Sequence, residues 1–259
     1  MDRWQPVGKQ KTMALPDYEP AMFDCYVEWL YTSKLNFYLA MDAEIENEVR
    51  ESLEPPDMLT DDFEYEVDEH VESMRNSLDC VRERNGWRES LDESWVKALA
   101  AHYARGGTEI KTPGHSPWVA SCINRLVYRV LMQLYRMGWF LLDAAFRNAV
   151  VDEALAFCEF SKTGPTWYEI RRSWDKMPRD CGMHRLIAKI WSFGTVLTDP
   201  DFECWSSLPP HFTLSLTQQL MERTNDPGIS SHAKKSGSKH VWLEPCQFHD
   251  HDYNTPACK

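Results

Sequence analysis

The amino-acid sequence predicts a mainly α-helical fold, in which a short helical element and a long acidic insert precede a helical bundle. Apolar residues recur at helical spacing in several segments, with Gly and Pro at the segment ends, where helices begin and end. Few segments alternate apolar and polar residues as half-buried strands do. With 259 residues, of which 43% are hydrophobic, the chain is long and apolar enough to bury a core.

The first predicted helix lies in PDYEPAMFDCYVEWLYTSKL. Its apolar residues recur at helical spacing, and a proline at the start suits the first turn. Two interpretations of this stripe are open: it is ordinary core, or it is exposed and binds another protein. The candidate protein-binding residues are Phe23, Val27, Trp29, Leu30 and Tyr31.

An acidic segment follows at residues 42–79. It contains fifteen acidic side chains and two basic ones. Such a composition is typical of a solvated linker, or of an acidic docking segment that folds on a basic partner. The spacing of Glu44, Glu46 and Glu48 favours a solvated run of charges.

Residues 116–223 contain the longest helical patterns and predict a helical domain. The two longest helices are separated by a short link near Gly138, which favours neighbouring packing. The sequence Thr166-Trp167-Tyr168-Glu169 matches a capping box, so a third helix should begin there. Further helices are predicted over 183–193 and 210–223, and a brief one over 91–102.

The segment 224–259 combines a Ser/Gly/Lys-rich linker with the tail CQFHDHD. In an extended tail, His249 and His251 point the same way, and Cys246 can fold back toward them. These three residues therefore form a candidate zinc site, with Asp252 or Cys258 as a fourth ligand. All the ligands are local, whereas structural zinc usually takes ligands from two separated segments. The alternative is a polar tail packed by its aromatic residues.

Composition disfavours several functions. The net charge of −12 opposes binding to nucleic acid or to an anionic membrane surface. The 8 cysteines are scattered without a CxxC pair, and neither a signal-peptide core nor a membrane-spanning apolar run is present. No nucleophile elbow, HExxH, P-loop or GxGxxG motif occurs. We therefore expect a non-catalytic protein of the cytoplasm or nucleus.

The order of these segments resembles that of small BTB/POZ-domain proteins of filamentous fungi. The resemblance rests on FDCYVEWLYTSKL, on LMQLYRMGWFLLDAAFRNAVVDEAL and on the Cys-x-x-His-x-His tail. It covers roughly residues 15–35 and 120–252, discontinuously.

The resemblance implies a protein–protein interaction module, an adaptor that self-associates or recruits a cullin-type ubiquitin-ligase scaffold. It divides the chain into a partial BTB/POZ-like element, an acidic and partly disordered insert, a helical domain, and a linker with the Cys/His tail. The resemblance finds no counterpart here for the strands and helices that begin a BTB domain, and it therefore implies a degenerate or N-terminally incomplete family member. The alternatives are a zinc-binding module or metal-dependent enzyme that uses the tail, and a family member without retained activity. The four segments span 1–40, 41–115, 116–223 and 224–259.

Overall fold

The fold is described here from a computed structural model of the chain. The structure describes residues 5–7, 10–12, 18–52, 71–72, 74–75, 117–161, 163–193, 208–225 and 245–251. Within these ranges helices predominate, so the predicted mainly α class is confirmed. None of the described helices is both long and apolar enough to cross a membrane.

The elements follow one another along the chain in a simple order. Two short strands form an antiparallel hairpin, and helices make up the other described elements. Two of these are short 3-10 helices. The strands are β1 (Gln5–Val7) and β2 (Gln10–Thr12), the α-helices are α1 (Pro20–Thr32), α2 (Tyr38–Ser52), α3 (Pro117–Phe140), α4 (Ala144–Ser161), α5 (Trp167–Ser173), α6 (Gly182–Phe193) and α7 (Pro210–Asn225), and the 3-10 helices are Trp174–Lys176 and Pro245–Phe248.

The long helix α3 is the centre of the core. It packs against α1, α2, α4 and α5, while α6 packs against α4 and α7. Leu126, Val130 and Leu134 on α3 are fully buried, as their helical spacing predicts. The helices therefore share one hydrophobic core.

Helix α1 lies on this core along one side. Met22 and Cys25 are fully buried, and the Phe146 ring packs edge-on against Tyr26 with 4.9 Å between centroids. The helix ends at Ser33, whose backbone adopts the left-handed conformation and donates its N–H to the Trp29 carbonyl at 2.7 Å. The chain therefore leaves the helix at a defined C-terminal turn.

Helix α2 differs from the expected solvated linker. Ile45 and Val49 are fully buried, and Glu44 and Glu48 are buried with them. The expected solvated run of glutamates is therefore wrong at Glu44 and Glu48. Because they stand four positions apart, they share the inward face, where basic side chains of α3 meet Glu48. The later acidic residues 53–70 and the predicted helix at 91–102 lie outside the described residues.

The turn between α3 and α4 also differs from expectation. Gly138 was expected to stop the helix, but α3 continues to Phe140. Gly138 is instead a point of close approach, since a Cβ there would lie 2.7 Å from Cγ of Arg147. The chain reverses at Leu142, which has a φ of 61°.

The later predicted helices are present. The capping box at Thr166 and Glu169 is confirmed, and α6 and α7 begin and end within two residues of the expected positions.

Candidate protein-binding face and C-terminal clasp

The predicted protein-binding stripe divides between two sides of α1. Trp29 is partly buried and packs on the Phe146 ring at 5.2 Å between centroids. Val27 is half-buried and lies one helical turn from both Phe23 and Tyr31, on their side of the helix. Phe23, Leu30 and Tyr31 are 38%, 52% and 87% exposed. We call these three side chains the outer face of α1. They lie within about 2.2 helical turns of one another, on the side away from the core.

Acidic groups lie along one edge of the outer face, beside Tyr31. Asp24 is exposed, and Glu28 accepts a hydrogen bond from Asn36 at 3.2 Å. The helix contains no Lys or Arg between Pro20 and Thr32. The outer face of α1 is therefore an apolar surface with an acidic rim.

A hydrogen bond holds α1 to the turn between α3 and α4. The Tyr26 hydroxyl donates to Oδ2 of Asp143 at 3.1 Å, while Oδ1 of Asp143 accepts the Phe146 N–H at 2.9 Å. Burial, followed by the Asp143 carboxylate, raises the pKa of Tyr26. Leu142, beside this junction, is 68% exposed. The backbone that presents the outer face is thus fixed from the core side.

The C-terminal tail is docked between α4 and α6. The 3-10 helix Pro245–Phe248 packs on both helices, and Phe248 is buried. Gly182 begins α6 directly beneath it, where a Cβ would lie 1.9 Å from the Phe248 carbonyl oxygen. Only glycine allows this approach without displacing one of the two backbones.

Asp250 fastens the tail to the helices. Its carboxylate accepts hydrogen bonds from Nε of Arg147 at 2.9 Å, from the Tyr135 hydroxyl at 2.5 Å and from the Gly182 N–H at 3.0 Å. Asn148 accepts the Asp250 N–H at 2.8 Å and donates to its carbonyl at 3.3 Å. We call Asp250 and these four partners the C-terminal clasp. Burial and the neighbouring Cys181 and Asp250 raise the pKa of Tyr135.

The structure brings the three predicted metal ligands to one end of the clasp. Sγ of Cys246 lies 3.3 Å from Nε2 of His251, and the rings of His249 and His251 lie 5.9 Å apart. Nε2 of His249 lies 2.8 Å from Oδ1 of Asp152 on α4. Among the described residues, no three His, Cys, Asp or Glu side chains are already arranged around a common point as metal ligands. The proposed fourth ligands at positions 252 and 258 lie outside those residues.

Sequence reasoning missed Asp152 and Asp250 as functional candidates. Both contact residues that are far away in the sequence. Asp152 and His249 are 97 positions apart, and Asp250 and Arg147 are 103 positions apart. A single sequence contains no local signal for such pairs. Asp250 could only have been found by its place between two histidines in the tail.

Sequence reasoning also missed a buried ionic cluster. The Glu48 carboxylate lies 2.8 Å from Nε of Arg125 and 2.7 Å from Nη2 of Arg129, and Glu48 and Arg129 are almost completely buried. Burial raises the pKa of the nearby Glu169 to about 7, against the opposing hydrogen bond from Thr166. The signal available was the i, i+4 spacing of Arg125 and Arg129, which places both arginines on one face of α3.

An open, polar cavity of about 240 Å³ lies at the edge of this cluster. Arg129, Arg136, Arg172 and Lys176 line it together with Glu19 and Glu44. The guanidinium of Arg136 also lies over the Tyr18 ring at 5.2 Å, and Gln133 donates to Glu44 at 3.4 Å. Because the lining carries both positive and negative side chains, it favours no particular class of ligand. We therefore assign no site to this cavity.

Comparisons with protein-family models, with curated proteins and with solved structures find no match for this chain. The resemblance to BTB/POZ-domain proteins therefore stays a prediction from the sequence.

Proposed function

We propose that this chain is a non-catalytic protein–protein interaction module of BTB/POZ type, an adaptor that binds a partner protein through the outer face of α1. The observation that carries the proposal is the exposure of Leu30 and Tyr31, at 52% and 87%, on a helix whose other side is buried. The family type rests on the sequence resemblance alone.

Two of the three side chains of the outer face are aromatic, and tyrosine is enriched at binding hot spots. Aromatic side chains supply large contact areas with little loss of conformational freedom, and clustered apolar exposure is typical of interfaces. Because Tyr26 and Trp29 hold the helix on the core, the exposed side chains start from a rigid support. Binding then requires little ordering of the backbone.

The acidic rim favours a partner of complementary chemistry: an apolar patch edged by Lys or Arg. Two copies of α1 facing each other would bring Asp24 and Glu28 near their counterparts, and such like-charge contacts are unfavourable. This favours a different protein over a second copy. The resemblance makes a cullin-type ubiquitin-ligase scaffold the first partner to test.

The test compares substitutions on the outer face with one matched substitution elsewhere. The full chain carries a C-terminal tag in the cells that make it, and partners are recovered by purification and located by cross-linking mass spectrometry. The test variant combines Leu30→Asp with Tyr31→Asp. The control is Leu214→Asp on α7, where the leucine is 58% exposed.

We expect a partner cross-linked to α1 that is lost in the test variant and kept in the control, with equal melting temperatures. Retention of the partner in the test variant overturns the proposal. Loss of folding in that variant alone also overturns it, because the stripe would then be core. A purified chain that sediments as a dimer, and dissociates with the test substitutions, would replace the heteromeric partner with self-association.

A further inference from the structure

We propose that Cys246, His249 and His251 bind a zinc ion that staples the C-terminal tail to α4, with Asp152 positioning His249 from outside the ligand shell. This inference is independent of the proposed adaptor function, since it concerns the other end of the helical domain. The residues supply two nitrogen ligands and one sulfur ligand, a donor set that suits Zn²⁺.

The first observation is the approach of Cys246 to His251. Their Sγ and Nε2 atoms lie 3.3 Å apart. Two ligands of one tetrahedral zinc ion, with ordinary Zn–S and Zn–N bond lengths, have their S and N atoms about 3.6 Å apart. The pair is therefore already placed like one edge of a zinc tetrahedron.

The second observation is the orientation of His249. Its Nε2 atom lies 2.8 Å from Oδ1 of Asp152, which places Nδ1 on the other side of the ring. A zinc-bound histidine commonly donates its second ring N–H to a carboxylate in this way, which fixes the ring and strengthens the ligand. Asp152 comes from a helix 97 positions earlier, so a second, separated segment contributes to the site.

Binding of zinc requires only a small change in the distance between the rings of His249 and His251. The rings of His249 and His251 lie 5.9 Å apart, whereas two imidazoles on one zinc ion have centroids about 5 Å apart. The rings are therefore about 1 Å farther apart than two zinc-bound imidazoles, and the side chains have to close this difference because the clasp holds the backbone. The three side chains then fill three of the four positions of a tetrahedral ion.

The clasp holds the backbone between the ligands in place. Asp250 stands between the two histidines and is bonded to Arg147, Asn148 and Gly182. The main chain that presents both rings is therefore positioned by protein contacts before a metal arrives. A well-defined metal site requires contacts of this kind, which hold the backbone of its ligands in place.

The test measures metal binding by the full chain directly. Chain purified without chelator is assayed for zinc by mass spectrometry of the elements, and metal-free chain is titrated with CoCl₂. We expect one equivalent of zinc, and a cobalt complex whose visible bands indicate tetrahedral geometry and whose near-ultraviolet band indicates a thiolate ligand. Cys246→Ser should remove the thiolate band, and His251→Ala should abolish stoichiometric binding.

Two further variants separate the site from other effects. Asp152→Asn should weaken zinc binding about 10- to 100-fold while the thiolate band remains. His211→Ala, which changes an exposed histidine on α7, should leave affinity and spectrum unchanged. The proposal is overturned by a wild-type chain that binds no zinc or cobalt, or by full binding in Cys246→Ser combined with His251→Ala.

Discussion

The Asp250 carboxylate accepts a hydrogen bond from Nε of Arg147 at 2.9 Å, across 103 positions of the chain. Both side chains are largely buried, at 7% and 13% exposure for Arg147 and Asp250. The Arg147 guanidinium also lies 4.3 Å over the Trp139 ring. The contact therefore joins the tail to α4 by a charged pair that is shielded from water.

The first prediction concerns loss of this pair. Asp250→Ala should lower the free energy of unfolding by about 3 kcal/mol, because it leaves a buried guanidinium without its carboxylate. Urea denaturation measures the change. The control is Asp175→Ala, which removes an exposed carboxylate and should change stability by less than about 0.5 kcal/mol. Equal effects of the two substitutions would show that the clasp does not stabilise the fold.

The second prediction concerns Gly182. An alanine Cβ there would lie 1.9 Å from the Phe248 carbonyl oxygen, so Gly182→Ala should push the tail off α6. Hydrogen exchange of the Asp250 N–H, which Asn148 accepts at 2.8 Å, should become at least tenfold faster. Replacing glycine by alanine in an unobstructed helix stabilises it by up to about 1 kcal/mol. A stabilised variant with unchanged exchange would therefore contradict the docked position of the tail.

Local signals in the sequence were sufficient for much of the helical framework. The Thr166–Glu169 capping box involves neighbours in sequence, and α3 and α6 carry strong local periodicity. Gly138 shows where a local signal fails, because a glycine at this place predicts a helix end. The structure needs a glycine here for the close contact with Arg147 instead. A residue that serves a tertiary contact looks the same in sequence as one that serves a turn.

The contacts of the candidate sites could not be predicted in the same way. The tail motif indicated Cys246, His249 and His251 as a group, but not their position on α4 and α6. The acidic composition of residues 42–79 hid the buried half of α2, because Glu48 meets its two arginine partners, and Glu44 meets Gln133, only in the folded state. The acidic composition of a segment predicts that its side chains are exposed to water. A glutamate in such a segment is nevertheless buried where a specific partner satisfies its carboxylate.

The third prediction concerns the strained turn at Leu142. Its φ of 61° is unfavourable for a residue with a Cβ, and its side chain is 68% exposed. Leu142→Gly should therefore raise the free energy of unfolding by about 0.5–1 kcal/mol, offset in part by the greater freedom of glycine in the unfolded chain. Asp180→Gly, at a φ of 58° in another exposed turn, is the comparison and should gain less, because aspartate tolerates this conformation better than leucine does. Destabilisation by Leu142→Gly alone would mean that the leucine side chain stabilises the turn by packing.

The fourth prediction concerns His184, which is buried on α6. Its ring stacks on Trp174 with 3.7 Å between centroids, and its Nε2 atom lies 3.1 Å from the Trp174 carbonyl oxygen. Burial lowers the pKa of His184 to about 4, against the raising effects of that carbonyl and of Asp180 and Asp175. The unfolded chain therefore binds a proton at this residue below about pH 6.5, whereas the folded chain resists it until about pH 4.

Stability from His184 should be fully present above pH 6.5 and should decline as the pH falls toward 4, by about 3 kcal/mol in all. Glu169 acts in the opposite sense, because its raised pKa favours the folded state as the pH falls from about 7 to 4.5. The difference between wild type and His184→Gln isolates the histidine, since glutamine can still donate to the Trp174 carbonyl. Denaturation at several pH values should show wild type losing stability relative to this variant between pH 6.5 and 4, while His211→Gln, at an exposed site, runs parallel to wild type. Parallel curves for His184→Gln and wild type would show that the imidazole is not held neutral in the core.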